Sequence, residues 1–373
     1  MKKRVLQVGY RSLNNGGIQA VIMSIVRNLY TDIDFDILLF SNKNGYYDEE
    51  FLKYGKIYRI PCDRTGNRLK DILENLTRPL RSFIGTYKIL KKGNYDVIHC
   101  HNGTESGIIL LAARIAGVPI RVTHSHNTAS SQKVSEFSQI YKRLVKRLIK
   151  RNSTVRIGCS KAANDFLYSK NDNKAIIINN AIDLNEFNPS NYSRDKKDKS
   201  IIKFIHVGRY CYQKNQSFLI DVFKEIHNKN HNTELNLVGF GEEQEIIKKE
   251  IMQSGLSKSV KMLPHDSNLP KLLAQSDYFI FPSNYEGLGI VLIEAQAMQV
   301  KCFASSAVPP EANLGLCTYY PLDIGSKAWA YNILEYISKN HGKTYKASNS
   351  LLSSYNIKKI ALQYKDIYER LEP

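Results

Sequence analysis

The stretch from Tyr278 to Glu294, YFIFPSNYEGLGIVLIE, decides how this chain is interpreted. Its first six residues read as a buried strand that ends in a turn, and its last residues follow the apolar pattern of a helix. The stretch therefore places the N-terminus of a helix just beyond the carboxyl end of a strand, where open α/β sheets bind anionic ligands. Gly287 and Gly289 would allow a ligand to approach the backbone closely.

Two carboxylates lie nine residues apart, counted inclusively, at the ends of EGLGIVLIE. Glu286 belongs to the glycine-containing loop and Glu294 to the helical pattern. A carboxylate at such a place binds hydroxyl groups rather than phosphate. Because two glutamates near a helix are usually ordinary surface charges, the rest of the chain has to support a functional reading.

The whole chain alternates strand-like and helix-like segments, which is typical of parallel sheets covered by helices. The 373 residues suffice for two domains. The predicted fold class is α/β, with two doubly wound, Rossmann-like domains facing across a cleft. A polar, aperiodic stretch over 188–199 is a candidate for a linker or an exposed loop. We expect an N-terminal domain over 1–190, completed by a returning C-terminal helix at 357–373, and a second domain over 191–356.

Composition and charge narrow the class of protein further. No apolar run reaches the roughly 18 residues of a membrane span, and the N-terminal MKKR leads into a strand rather than a signal peptide. Six scattered cysteines without a Cys-x-x-Cys pair give no disulfide framework and no zinc ribbon. We therefore expect a cytoplasmic protein with reduced thiols.

The formal net charge of +18 is concentrated in the first half of the chain. Residues 1–180 contain 30 Lys and Arg against 14 Asp and Glu, which leaves 23 against 21 for the rest. Within this half, Tyr141–Arg151 combines an apolar helical stripe with many cations. Such a surface attracts an anionic membrane or nucleic acid. An ordinary solvated face over the core is the alternative.

The second domain opens with a strand followed by Gly208, Arg209 and, five residues later, Lys214. Both cations would lie at the sheet edge, where they could neutralise a diphosphate leaving group. Gly239, in a Gly-Phe-Gly after a later strand, is a weaker signal, because an isolated Gly-x-Gly is usually only a turn.

In the first domain, Gly16 and Gly17 follow the first strand and open a helix, which suits close approach of a phosphate or sugar. The motif is not a complete dinucleotide fingerprint, so NAD binding is poorly supported. His124, His126 and Asn127 follow the strand at 120–123 and can bind sugar hydroxyls or move protons. Too few further ligands accompany them to predict a metal site.

With these segments placed, the chain resembles, essentially from end to end, the retaining glycosyltransferases of family 4, which have the GT-B fold. The most specific elements are Gly208-Arg209 with Lys214-Asn215, and Phe281-Pro282-Ser283 leading into Glu286 and Glu294. The segments DVIHCHN from Asp96 and GVPIRVTHSHN from Gly117 look like bacterial capsule and exopolysaccharide enzymes. One departure is Gln299, where the family usually has glycine after the helix.

The resemblance implies a role for each site residue. Arg209 and Lys214 would hold the donor diphosphate, Glu286 would contact the transferred sugar, and Glu294 would bind the ribose hydroxyls. His126 would approach the sugar near its reactive face, with His124 and Asn127 as alternatives. The remaining donor-binding residues would be Gly16, Gly17, Gly239, Gly287, Leu288, Gly289 and Ile290.

The predicted reaction is transfer of a sugar from a nucleotide donor, with a UDP-sugar favoured, to a hydroxyl of a glycan or polyprenyl-linked saccharide. No metal or other cofactor is expected. The basic first domain would take the acceptor at the inner face of the cell membrane. The alternatives are a nucleotide-sugar epimerase and a non-catalytic donor-binding subunit. A nucleic-acid-binding protein is disfavoured, because the basic residues lack interleaved aromatic residues.

Overall fold

The computed structural model describes residues 2–14, 16–62, 68–126, 136–170, 172–193, 200–340 and 343–370. The chain divides into two compact units, one formed by Met1–Ala181 with Ile357–Pro373 and the other by Ile182–Asn356. The boundary predicted at residue 190 lies inside the second of these units.

The first unit is built on a parallel sheet of seven strands within its described residues, in the order β3-β2-β1-β4-β5-β6-β7. The strands are β1 (Lys3–Val8), β2 (Ile33–Leu39), β3 (Ile57–Arg59), β4 (Val97–Cys100), β5 (Ile120–Ser125), β6 (Val155–Gly158) and β7 (Ala175–Ile177). The helices between them are α1 (Gly17–Leu29), α2 (Asp48–Phe51), α3 (Arg68–Gly93), α4 (Ser106–Ala116), α5 (Glu136–Asn152) and α6 (Lys161–Leu167).

The second unit repeats this plan with six parallel strands in its described part, in the order β10-β9-β8-β11-β12-β13. They are β8 (Ile202–Val207), β9 (Thr233–Val238), β10 (Val260–Leu263), β11 (Tyr278–Phe281), β12 (Lys301–Ser305) and β13 (Cys317–Tyr320). The helices are α7 (Gln216–Lys229), α8 (Gln244–Gln253), α9 (Leu269–Ala274), α10 (Ile290–Ala297), α11 (Gly325–Lys339) and α12 (Asn349–Ser353).

The last helix, α13 (Ile357–Glu369), returns to the first unit. Ile360, Tyr364 and Tyr368 are buried in the same core cluster as residues of α1 and β2. Burial of these large side chains stabilises the docking of α13. The doubly wound parallel sheets and the returning helix are thus confirmed.

The long helix α3 is not evident from the sequence. Pro79 lies inside the helix, and a proline removes one backbone hydrogen bond and usually marks a boundary. Exposed Leu76, Leu80 and Ile84 also obscure the helical pattern, because they recur every four residues on the solvent side.

In each unit, the strand order reverses beside the first strand of its sheet. The switch lies between β1 and β4 in the first unit and between β8 and β11 in the second. Loops at the carboxyl ends of these strands diverge to opposite sides of the sheet, which is where this class of fold binds ligands. The predicted site residues of each unit follow these strands or their neighbours.

No helix in the described part of the chain is both long and apolar enough to span a membrane. All six cysteines are free thiols, and Cys100, Cys159, Cys302 and Cys317 are buried. Burial raises the pKa of the Cys302 thiol well above its ordinary value. These thiols therefore belong to the core.

Candidate functional site

Two loops of the second unit, which follow the adjacent strands β8 and β11, are joined by hydrogen bonds. The backbone N–H of Asn284 donates to the carbonyl of Gln213 at 2.8 Å, and Asn215 Nδ2 donates to the Pro282 carbonyl at 3.2 Å. Asn215 has a left-handed backbone, with φ of 56°, which short polar side chains tolerate better than most. The two loops therefore form one connected surface.

Glu286 and Lys214 meet on this surface. Lys214 Nζ lies 2.6 Å from Glu286 Oε1 and 4.6 Å from the centre of the Phe281 ring. Gln213 Nε2 donates to Glu286 Oε2 at 3.2 Å, and Glu286 is only 5% exposed. A lysine ammonium has three donors, so Lys214 can hold Glu286 and still offer hydrogen bonds to an anion.

Arg209 is in a different environment from Lys214. Its side chain is 63% exposed, and its Nε lies 2.9 Å from Glu242 Oε2. Exposed ion pairs of this kind contribute at most about 1 kcal/mol, so Arg209 can exchange Glu242 for a more highly charged partner. Glu242 was not identified from the sequence, since nothing in the local pattern distinguishes it from a surface charge.

Two glycines of the predicted set are required by backbone geometry. Gly239 has φ of 155°, and a Cβ there would lie 2.1 Å from the carbonyl oxygen of Gly208. Gly289 has φ of 84° and immediately precedes α10. A residue with a side chain would be strained at either position. The end of β9 can therefore approach the loop after β8, and the chain can turn directly into α10.

The helix α10 begins at Ile290, so its N-terminal N–H groups lie just beyond the loop that carries Glu286. Gly287 and Leu288, also predicted as donor-binding, are buried in that loop. The positive end of the helix dipole and the backbone N–H groups favour an anionic ligand here. This confirms the strand, glycine loop and helix predicted from the sequence.

Glu294 lies one helical turn after Ile290. Burial, and secondarily the negative charge of Glu186, raises the pKa of the Glu294 carboxyl to about 8. Glu186 was missed because it is remote in sequence. A carboxyl whose pKa its environment raises close to neutral pH is typical of functional sites.

In the first unit, Gly16 and Gly17 lie at the start of α1, as predicted. A Cβ on Gly16 would lie 2.7 Å from Gln19 Oε1, whereas a Cβ on Gly17 would meet nothing within 4 Å. The fold of this unit therefore does not require a glycine at 17. Close approach of a ligand remains the predicted reason for it.

Four histidines cluster at the ends of β4 and β5: His99, His101, His124 and His126. His126, the predicted catalytic histidine, is 9% exposed, and its Nε2 lies 2.9 Å from His101 Nδ1. Burial lowers the pKa of His126 to about 3, and it lowers those of the other three well below their ordinary value. Asn127 lies outside the described residues.

Three of these histidines could in principle hold a metal ion. Potential ligand nitrogens of His99, His101 and His124 lie within 4.8 Å of one another. However, both ring nitrogens of His101 already have partners, since Nε2 lies 2.9 Å from Gln7 Oε1 and Nδ1 contacts His126. Metal ligation by His101 would break one of these hydrogen bonds. Gln7 was not identified from the sequence, because it falls inside a strand.

Two family models match the chain and together span most of it. Residues 15–186 match the model described as Glycosyltransferase Family 4, and residues 190–313 match the model described as Glycosyl transferases group 1. The division between the matches falls close to the division between the two compact units.

Curated relatives extend this similarity over nearly the full length. A putative glycosyltransferase, EpsF, of Bacillus subtilis is 31% identical, with 89% of this chain and 87% of the relative covered. The capsular polysaccharide biosynthesis glycosyltransferase CapH of Staphylococcus aureus is 29% identical, with 96% and 97% covered. A UDP-Gal:alpha-D-GlcNAc-diphosphoundecaprenol alpha-1,3-galactosyltransferase of Escherichia coli is 28% identical, with 79% and 80% covered.

Solved structures show the same fold at lower identity. HepE of Anabaena, determined with UDP and glucose, superposes with a TM-score of 0.76 at 18% identity, covering 98% of this chain and 99% of that one. Sucrose-phosphate synthase of Thermosynechococcus elongatus gives a TM-score of 0.76 at 16% identity, with 99% of each chain covered. From the matched models, the extended relatives and the doubly wound units, we conclude that this chain belongs to glycosyltransferase family 4 and has the GT-B fold.

Proposed function

We propose that this glycosyltransferase moves a sugar from a nucleotide-sugar donor, with a UDP-sugar favoured, to a hydroxyl of a glycan or lipid-linked saccharide. The proposed setting is synthesis of bacterial capsule, exopolysaccharide or another cell-surface glycan. The observation that carries the proposal is the Glu286–Lys214 pair, which lies beside the glycine-flanked N-terminus of α10. This arrangement offers a cation and backbone N–H groups to a diphosphate and a carboxylate to a sugar hydroxyl.

The chemistry follows from charge development in the donor. When the sugar leaves the nucleotide, negative charge grows on the diphosphate, and Lys214, Arg209 and the α10 dipole can stabilise it. Glu286 binds hydroxyls of the transferred sugar, and Glu294 binds the ribose. The acceptor hydroxyl then attacks the electron-poor sugar carbon on the face that the diphosphate leaves and passes its proton to the departing diphosphate oxygen, so the α configuration is retained.

The names of relatives support the donor and acceptor classes. The Escherichia coli relative is named for a UDP-galactose donor and a diphosphoundecaprenol-linked acceptor, and the Anabaena structure contains UDP and glucose. We extend these classes to this chain as a proposal.

For the acceptor, we propose a membrane-bound, lipid-linked saccharide reached from the cytoplasmic face. Exposed Leu76, Leu80 and Ile84 lie on α3, and exposed Ile140, Tyr141 and Leu144 lie on α5. Apolar side chains beside exposed Arg143 and Arg147 suit an anionic bilayer. These six apolar residues and two arginines are called the basic-apolar face below.

One lysine of the predicted membrane contact is excluded from this face. Lys146 donates to the Phe166 carbonyl, and its ammonium lies 5.0 Å from the centre of the Phe166 ring. Desolvation lowers the pKa of its ammonium. Lys146 is therefore a packing residue between α5 and α6, and its removal would be a poor test of membrane binding.

The proposal is tested by incubating the purified protein with a panel of nucleotide-sugars. We expect a UDP-sugar to raise the melting temperature, because a ligand that binds only the folded state stabilises it. With a polyprenyl-linked saccharide, we expect transfer with an α linkage, measured by NMR of the product. Release of an epimerised nucleotide-sugar without acceptor would instead favour an epimerase. Donor binding without transfer to any acceptor would favour a non-catalytic subunit.

We also propose that transfer requires no metal ion. Lys214, Arg209 and the α10 N-terminus supply the positive charge that a divalent cation would otherwise provide. Turnover should therefore be unchanged after exhaustive dialysis against EDTA. Loss of turnover that is restored by a divalent cation would contradict this part of the proposal.

A further inference from the structure

We propose that Gln7 and Tyr368 are positioning residues that fix the tautomer of His126, with hydrogen on Nε2 and a free acceptor at Nδ1. The consequence for catalysis rests on the proposed transferase function. The inference itself concerns a chain of hydrogen bonds within the first unit and can be tested without measuring transfer.

The chain of hydrogen bonds starts at Gln7, a fully buried residue of β1 that lies beside His99 of β4 in the sheet register. Its amide Nε2 donates to Tyr368 Oη at 3.1 Å, and its Oε1 lies 2.9 Å from His101 Nε2. An amide oxygen can only accept a hydrogen bond. With the amide in this orientation, His101 carries its hydrogen on Nε2.

The tautomer of His101 determines that of His126. Burial disfavours the charged imidazolium and lowers the pKa of both rings, so each ring carries one hydrogen. Since His101 has its hydrogen on Nε2, its Nδ1 is an acceptor. The only donor for the 2.9 Å contact is then His126 Nε2–H, and His126 Nδ1 has a lone pair.

Tyr368 of α13 is the partner of the Gln7 amide at the far end of this hydrogen-bond chain. Its hydroxyl accepts from Gln7 and can donate its own hydrogen to His99 Nδ1, at 2.6 Å. Reversing the Gln7 amide would reverse every donor along the hydrogen-bond chain and place the hydrogen of His126 on Nδ1, which the ¹⁵N spectrum of His126 distinguishes. Tyr368 is fully buried and packs edge-on against Phe35, so it is held in place independently of the hydrogen bond.

His126 Nδ1 has no hydrogen-bond partner among the described residues. As an acceptor, it suits the O–H of a sugar hydroxyl and cannot donate to an oxygen that lacks hydrogen. The ring of His124 is tilted against that of His126 at a centroid distance of 4.0 Å, but both nitrogens of His124 lack partners within the described chain. The hydrogen-bond chain therefore distinguishes His126 from His124 as the oriented histidine.

The direct test is ¹⁵N NMR of protein labelled at histidine, with His126 assigned by substitution. In the wild type, we expect the chemical shifts of a neutral Nε2–H tautomer. Gln7→Met removes both amide contacts at similar volume and should give a mixture of tautomers. Gln7→Glu still accepts from His101 and should keep the hydrogen on His126 Nε2. An Nδ1–H tautomer in the wild type, or an unchanged spectrum in Gln7→Met, would overturn the inference.

Two tyrosines on α13 provide a matched pair of substitutions for testing the Tyr368 end of the hydrogen-bond chain. Tyr368→Phe should give a mixture of His126 tautomers. Tyr364→Phe should not, because the equally buried Tyr364 hydroxyl has no hydrogen-bond partner in the described structure. Equal effects of the two substitutions on the His126 spectrum would contradict the role of Tyr368. This comparison controls for loss of a buried hydroxyl.

Kinetics then separate positioning from donor binding. In Gln7→Met, we expect kcat to fall about tenfold, as for loss of one well-placed hydrogen bond, while the donor KM changes less than about twofold. Gln7→Glu should recover most of kcat. A protein that transfers no sugar but shows the predicted tautomers would refute the proposed function and leave the inference intact. If the tautomers are as predicted but kcat is unchanged in Gln7→Met, the proposed effect of the His126 tautomer on catalysis is overturned.

Discussion

At the residue scale, Glu286 and Glu294 have different environments. Glu286 contacts Lys214 and Gln213 through its carboxylate oxygens, whereas Glu294 is disfavoured as an anion by burial and by Glu186. Their spacing in the sequence predicts one site, but their partners come from separate segments. Sequence patterns cannot identify such partners, because only the folded chain brings them together.

The raised pKa of Glu294 predicts a pH-dependent stability. The carboxyl is protonated in the folded state up to about pH 8 but loses its proton near pH 4.5 when unfolded. Folding therefore takes up a proton in this window, and the free energy of unfolding falls as pH rises, by about 1.4 kcal/mol per unit for one proton. Substituting Glu294→Gln should remove this contribution.

The measurement is chemical denaturation of the wild type and Glu294→Gln between pH 5 and 8. The unfolding free energy of Glu294→Gln minus that of the wild type should increase steadily as pH rises. Glu234→Gln, which changes a carboxylate paired with Lys261 on the surface, is the control and should show no comparable slope. A difference that stays constant with pH would mean that Glu294 is ionised throughout the range.

At the element scale, the helix α10 has a cap whose geometry conflicts with its sequence. Gln299 follows the helix with φ of 62°, its N–H donates to Gln296, and the N–H of Val300 donates to Ala295. This is the pattern of a Schellman motif, which favours glycine at the left-handed position. The departure noticed from the family resemblance thus has a physical correlate.

We expect Gln299→Gly to stabilise the second unit. Relief of the left-handed strain, about 1–2 kcal/mol, is partly offset by the greater freedom of glycine in the unfolded chain. The net gain should be about 0.5–1 kcal/mol, measured as an increase in melting temperature. Gln275→Gly, at a helix end with φ of −92°, should be destabilising. A lower melting temperature for Gln299→Gly would argue against a strained cap.

The elements differ in how well they could be predicted. The C-terminal limit of α4 is predictable, since Gly117 follows the helix and closes it with φ of 85°. The strand, loop and helix around Glu286 were also predictable, because an apolar run, glycines and a second apolar run follow in order. In α3, by contrast, Pro79 and a solvent-facing apolar stripe hide the helical period.

At the scale of the whole molecule, the charge asymmetry and the basic-apolar face both belong to the first unit. We predict that Arg143→Gln with Arg147→Gln weakens binding to liposomes containing anionic lipid, because each cation near the surface contributes about 1 kcal/mol. Leu80→Ser with Leu144→Ser should weaken binding even in high salt, since it removes apolar area that the bilayer would bury. Cosedimentation measures both effects.

The control for membrane binding is Lys261→Gln, which removes an exposed cation from the second unit. It should bind liposomes like the wild type. Binding that is equally strong in all variants would show that the basic-apolar face is an ordinary solvated surface. In that case the donor chemistry of the second unit would be unaffected.

We propose that the Glu286–Lys214 pair forms the donor site, so Glu286 should be required for transfer. Glu286→Gln keeps the volume of the side chain and one accepting oxygen but removes the charge. Thermal denaturation checks that the variant is folded. The most direct measurement is sugar transfer by Glu286→Gln, with Glu234→Gln as the matched control in the same unit. We predict that Glu286→Gln, although folded, loses at least about a hundredfold in kcat, as expected for removal of an interaction with the reacting group, while Glu234→Gln retains wild-type turnover. Near-normal turnover by folded Glu286→Gln with an identified donor would show that this carboxylate is not part of the donor site.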